Sequence, residues 1–167
     1  MPAIQRKVTM KKHIFWKNAF LILSGLVVSV IFGHSLMSKA ASREESAMVV
    51  GTVQQVLSQI HMEAVSFPLH AFVRKMAHFI EFSALGVCIG GYAVNLGLIR
   101  GRKYIALPAF LTLLIAVSDE YIQTFSGRGG LVTDIVIDYS GAVFGLLLAA
   151  GYVLLRKLII KKKEQKA

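Results

Sequence analysis

The sequence predicts an all-α, polytopic membrane protein: a four-transmembrane-helix bundle with an external amphipathic helix. Three observations carry this. Hydrophobic residues make up 55% of the 167 and charged residues 17%, with a mean hydropathy of +0.61, too apolar for an ordinary soluble domain. Four apolar stretches, at 18–37, 72–96, 104–125 and 131–155, match the roughly 20 helical residues that cross a hydrocarbon core. Lysine and arginine sit in short blocks between them, 14 on one alternating side against 5 on the other. By the positive-inside rule the richer side is cytoplasmic, which places both termini of this multi-pass chain there.

Taken in order, residues 1–17 form a basic cytoplasmic N-terminus and 18–37 the first transmembrane helix. A second reading of this region is a signal peptide, with an apolar core at 19–33 and small residues at Ser38 and Ala40, although that core is at the upper limit of roughly 7 to 15 residues usual for one. Either reading leaves the later helices oriented as they are. The extracytoplasmic segment 38–71 carries a capping-box pattern at Ser42 and Glu45, then apolar residues at Val49, Val53, Val56, Leu57, Ile60 and Ala64. That spacing predicts an amphipathic helix ending near Phe67 and Pro68, lying in the interface or over the bundle, or acting as a lid. Residues 72–155 supply three further membrane helices, and the lysine-rich tail 156–167 reads as a cytoplasmic stop-transfer anchor.

The formal charge of +10 does not point to nucleic acid, because no aromatic-interleaved basic stripe lies on a soluble face. Membrane lipids with anionic headgroups are the expected partner. The single cysteine, Cys88, lies within an apolar run, which excludes an intrachain disulfide and a cysteine metal site.

Five of the nine acidic residues, Glu81, Asp119, Glu120, Asp134 and Asp138, fall inside predicted membrane helices. A charge there costs several kcal/mol unless paired or hydrated, so such residues are functional candidates by default. The second helix enters from outside with Arg74 and Lys75, then His78 one turn deeper and Glu81 two turns deeper. The third helix ends on the same side with Asp119, Glu120 and Gln123. The glycine-rich link contributes Arg128, and the fourth helix begins with Asp134 and Asp138 followed by Gly141 and Gly145. All three polar patches therefore meet at one membrane side. Routine readings exist for each: helix-end ion pairs of Arg128 with Asp134 or Lys75 with Glu120, an Asp134 that complements a helix macrodipole, and a glycine seam for close packing. The HxxE spacing of His78 and Glu81 reads first as a hydrogen-bonded polar pair. As a metal signal that spacing is weak, and a divalent ion held by Asp119, Asp134 or Asp138 is an open alternative that no recognised ligand motif supports, so no metal ligand set is assigned.

The strings RKMAHFIEF at 74–82, SDEYIQTFSGR at 118–128 and DIVIDYSG at 134–141 resemble the VanZ-like family, named for a protein that raises resistance to the glycopeptide teicoplanin. The resemblance covers 72–145 and rests on Lys75, His78, Glu81, Asp119, Glu120, Gln123, Arg128, Asp134 and Gly141 in that order; Asp138 departs from the asparagine expected there. It implies a small polytopic protein of the bacterial cell envelope, without a known reaction. The N-terminal helix, the external helix and the tail lie outside it.

These readings combine into an expected function: binding or chemical alteration of a lipid-linked or envelope substrate, such as a lipid-linked cell-wall intermediate or a glycopeptide antibiotic, at the extracytoplasmic side. His78, Glu120 and Asp119 are the candidate catalytic acid and base groups, because imidazole exchanges protons near neutrality. Lys75, Arg128, Gln123, Glu81, Asp134 and Asp138 are the candidate substrate-binding residues. The alternatives are a non-catalytic scaffold or regulatory protein, and a proton- or cation-coupled transporter. The sequence names no cofactor.

Overall fold

The computed structural model describes residues 3–59, 69–101, 103–104 and 106–164. Among these the chain forms five helices and no strand: α1 (Ala3–Leu36), α2 (Lys39–Gln59), α3 (Leu69–Arg100), α4 (Ala106–Phe125) and α5 (Val132–Glu164). Four contain stretches long and apolar enough to cross a membrane, at Val8–Leu36, Leu69–Arg100, Ala106–Phe125 and Val132–Arg156. A helix satisfies every backbone group internally, so apolar runs of this length take that form. Three helices overrun the apolar stretches that seeded them: α1 begins at Ala3, α3 runs from Leu69 to Arg100, and α5 continues to Glu164. Lysine and arginine are good helix formers, so a basic block ends a membrane span without ending the helix.

The segment after α1 is helical, but not with the expected cap or stripe. The Ala41 amide donates to Ser38 Oγ at 3.3 Å, so Ser38 caps α2 and Ser42 lies inside it. Ser42 and Val50 are buried, Val53 is half-buried, and Val49 and Val56 are exposed. The face that packs on the bundle is thus rotated from the predicted one by about one residue, or about 100° of helix. Ile60, Ala64 and the expected end near Phe67 and Pro68 lie outside the described residues.

Helix α3 is the hub, packed along α5 and α1 and joined by α2 and α4. Its Phe82, Leu85 and Ile89 form the core with Ile31 of α1, Ala116 of α4 and Ala142 of α5. Between helices in lipid the hydrophobic driving force is small, and association relies on close packing at small residues. The α3/α5 contact follows this rule. A Cβ added at Gly145 would overlap the Ser83 carbonyl, one at Gly141 the Phe79 carbonyl, and one at Gly86 the Ala142 carbonyl. This seam draws the first turns of α5 against the first turns of α3, where the ionisable residues lie. The link between α4 and α5 reverses the chain in six residues, with Gly127 and Gly129 at φ 71° and 78°, a region that disfavours other residues.

Candidate functional site: a buried histidine between two aspartates

Four helices meet where α3 and α5 begin and α1 and α4 end. At their centre stands His78 of α3, with Nδ1 3.6 Å from Asp119 Oδ2 of α4 and 3.5 Å from Asp138 Oδ1 of α5. Asp119 is fully buried and Asp138 is 1% exposed. Each of the three comes from a different helix, so no local spacing motif relates them.

The surroundings hold these side chains in different ways. Asp119 accepts from the Ser35 hydroxyl of α1 and, through Oδ2, from Gln123 Nε2 at 3.0 Å. Gln123 Nε2 also lies 3.2 Å from Glu120 Oε1, one turn along α4. Glu120 Oε2 in turn accepts the Leu131 amide at 2.9 Å, tying the end of α4 to the link that leads into α5. Asp138 is held by no such bond. Among the described residues neither of its carboxylate oxygens has a hydrogen-bond partner, and neither does His78 Nδ1.

Around this centre the ion pairs differ from the two expected. Lys75 Nζ pairs with Asp134 Oδ1 at 2.8 Å, joining α3 to the first turn of α5, rather than with Glu120. Arg128 reaches back to α1 and donates from Nη1 to the His34 carbonyl at 2.8 Å, capping that helix end where a cation complements the macrodipole. Burial, then the neighbouring Arg74 charge, push the Arg128 guanidinium below its usual value, against opposing pulls from Asp119, Glu120 and Asp134. Glu81 does not pair with His78: its Oε1 accepts from His34 Nδ1 at 2.7 Å, so HxxE marks two neighbouring contacts and not one pair.

The structure thus brings His78, Asp119, Asp138, Glu120 and Gln123 together, places Lys75 and Asp134 at the rim, and sets Glu81 and Arg128 against α1. Sequence reasoning missed Ser35 and His34 as members of this region. Ser35 carried no readable signal, because a serine in an apolar helix ordinarily bonds the carbonyl four residues back, as Ser35 also does to Ile31 at 3.1 Å. A small recess opens onto the centre, lined by Arg74, Lys75, His78, Glu120, Gln123, Asp134, Ile137 and Asp138. Its inner space is about 10 Å³ for the centre of a water-sized group, room for roughly one water.

Four apolar helices that fit a multi-pass membrane protein, with an ionisable group buried between them at one end, define the class of molecule. The chain belongs to the VanZ/LLP1 family, whose model matches residues 20–156. The match takes in the second half of α1 and all of α2, both of which the sequence resemblance over 72–145 had left outside. No curated protein and no solved structure matches the chain.

Proposed function

We propose that the protein binds an anionic group of a lipid-linked or envelope substrate at the recess and acts on it there, with the recess facing the extracytoplasmic side. The observation that carries this is the recess itself, where two cations, Arg74 and Lys75, line one opening together with His78, Glu120, Asp134 and Asp138. Cations at a membrane interface suit a phosphate group, and the polar residues below it are costly in lipid unless they serve a purpose. The recess takes roughly one water within it, so the anionic group would rest at its mouth against Arg74 and Lys75 with the apolar remainder in the bilayer, and an entire glycopeptide would not enter. His78 would exchange the proton, with Glu120 and Asp119 as its acid and base partners. Lys75 and Arg74 would hold the anion, and Gln123 and Asp134 would keep the carboxylates and Lys75 in place. Helix α2, external in this orientation, would lie against α3 beside the entrance.

The test is polyprenyl monophosphate binding to the full chain in nanodiscs, read by native mass spectrometry against phosphatidylcholine. Lys75→Ala and Arg74→Ala should each weaken retention of the phosphate lipid by roughly tenfold, the cost of one charge-assisted contact. Equal retention by both variants and the unaltered chain would remove the proposal. Orientation is read in the same preparation of cells: with Cys88→Ala as background, Gly129→Cys should react with an impermeant maleimide in intact cells and Gly101→Cys should not.

A further inference from the structure

We infer that His78, Asp119 and Asp138 form a binding site for a divalent first-row transition cation such as Mn²⁺ or Zn²⁺. The inference rests on the geometry of these three side chains and not on the proposed substrate; with an ion bound, His78 Nδ1 and Asp119 hold it and do not exchange a proton with each other.

The donor atoms all lie within 4.8 Å of one another. A histidine charged by its neighbours would close on a carboxylate to about 2.7 to 2.9 Å. Here His78 Nδ1 stands off at 3.5 and 3.6 Å from its two carboxylate neighbours. Ligand atoms each about 2.1 Å from one tetrahedral ion are roughly 3.4 Å apart. The two separations from His78 Nδ1 match the edges around an ion rather than charge-assisted hydrogen bonds.

Asp138 supplies the independent observation. It is 1% exposed, sits between α3 and α4, and both its oxygens lack a hydrogen-bond partner among the described residues. A buried carboxylate without donors, beside a second buried carboxylate, is strongly unfavourable unless a cation compensates both. Asp119 is oriented by donors from Ser35 and Gln123, which is how outer groups steady a metal-binding carboxylate. One imidazole nitrogen with two carboxylates selects Mn²⁺, Fe²⁺ or Zn²⁺ over Ca²⁺, which takes six to eight oxygens. Three protein ligands leave a position open, as in sites that handle a substrate. His78 and Asp138 both line the recess, so an ion held between them would lie beside it.

The full chain, purified in detergent and stripped with EDTA, is equilibrated with Mn²⁺ or Zn²⁺ and analysed by elemental mass spectrometry. About one ion per chain should be retained, and Asp138→Asn and Asp119→Asn should each weaken retention more than tenfold. Glu81→Gln, on the same helix but paired to α1, should retain the ion. With Mn²⁺ bound, pulsed electron paramagnetic resonance of the unaltered chain should show nitrogen coupling from His78, a reading that needs no variant to fold. Retention no greater than that of Asp138→Asn, or bound Mn²⁺ without nitrogen coupling, would overturn the site and leave an imidazole caught between two carboxylates. The two readings fail separately. Phosphate lipid held by a chain with no affinity for the ion sinks this inference alone, and an ion held by a chain indifferent to phosphate lipid sinks the substrate proposal alone.

Discussion

The two halves of α3 share one helix and one bundle yet do opposite work. In its first turns Lys75, His78 and Glu81 each face a different partner, respectively α5, the α4/α5 pair and α1. In its later turns Leu85, Gly86, Ile89, Gly90 and Ala93 are buried against neighbours. A polar contact between helices there joins His13 Nδ1 to Asn95 Oδ1 at 3.0 Å. Packing at small residues is enough to hold helices together in lipid, so the later half shows what this bundle needs for stability. The crowd of ionisable groups in the first half exceeds that need. The difference supports the proposed site at one end and leaves assembly to the other.

The largest effect should come from the seam that serves both halves. Gly145→Leu drives a side chain into the Ser83 carbonyl and the neighbouring Val87 amide, where only backbone can move, and should cost more than about 3 kcal/mol. Little folded protein should then reach the membrane fraction; normal levels with normal melting would show that α3 and α5 are not apposed as described. A smaller effect is expected at Ser35→Ala. The fold should persist with a loss of about 1 kcal/mol, while retention of phosphate lipid or of Mn²⁺ falls several-fold because Asp119 loses a donor that orients it. Asn95→Ala should be the mildest. It removes the His13 contact at the other end and should lower thermal stability by about 1 kcal/mol or less, with ligand retention unchanged. Should Asn95→Ala impair retention as much as Ser35→Ala does, the division of α3 into two halves would be wrong.

Much of the architecture was readable because it depends on local composition. The ends of α4, at Ala106 and Phe125, fall within two residues of those inferred from hydropathy, since a glycine-bearing link bounds the run on each side. The start of α1 and the end of α5 were misplaced because hydropathy reports the solvent change and not the helix. In α2 the rotation was missed for a related reason. Its residues have weak one-sidedness, so the contacts with α3 decide which face is covered, and these bury Ser42 and Val50 rather than Val49 and Val56. At the site, Lys75, His78, Asp119, Glu120, Gln123, Asp134 and Asp138 were identifiable as candidates because each is anomalous in an apolar helix. Their partners were not.

By itself the sequence determined how many apolar helices there are and that their polar residues gather at one end. The first follows from run length against bilayer thickness, and the second from helices that reverse direction at each link. Only the tertiary structure decided that His78 faces Asp119 and Asp138 rather than Glu81, that Lys75 takes Asp134, and that α1 contributes Ser35. Those choices depend on how each helix is rotated about its axis, which is set by the glycine seam and the core across helices far apart in the chain. Spacing along one helix holds no information about that rotation relative to the next.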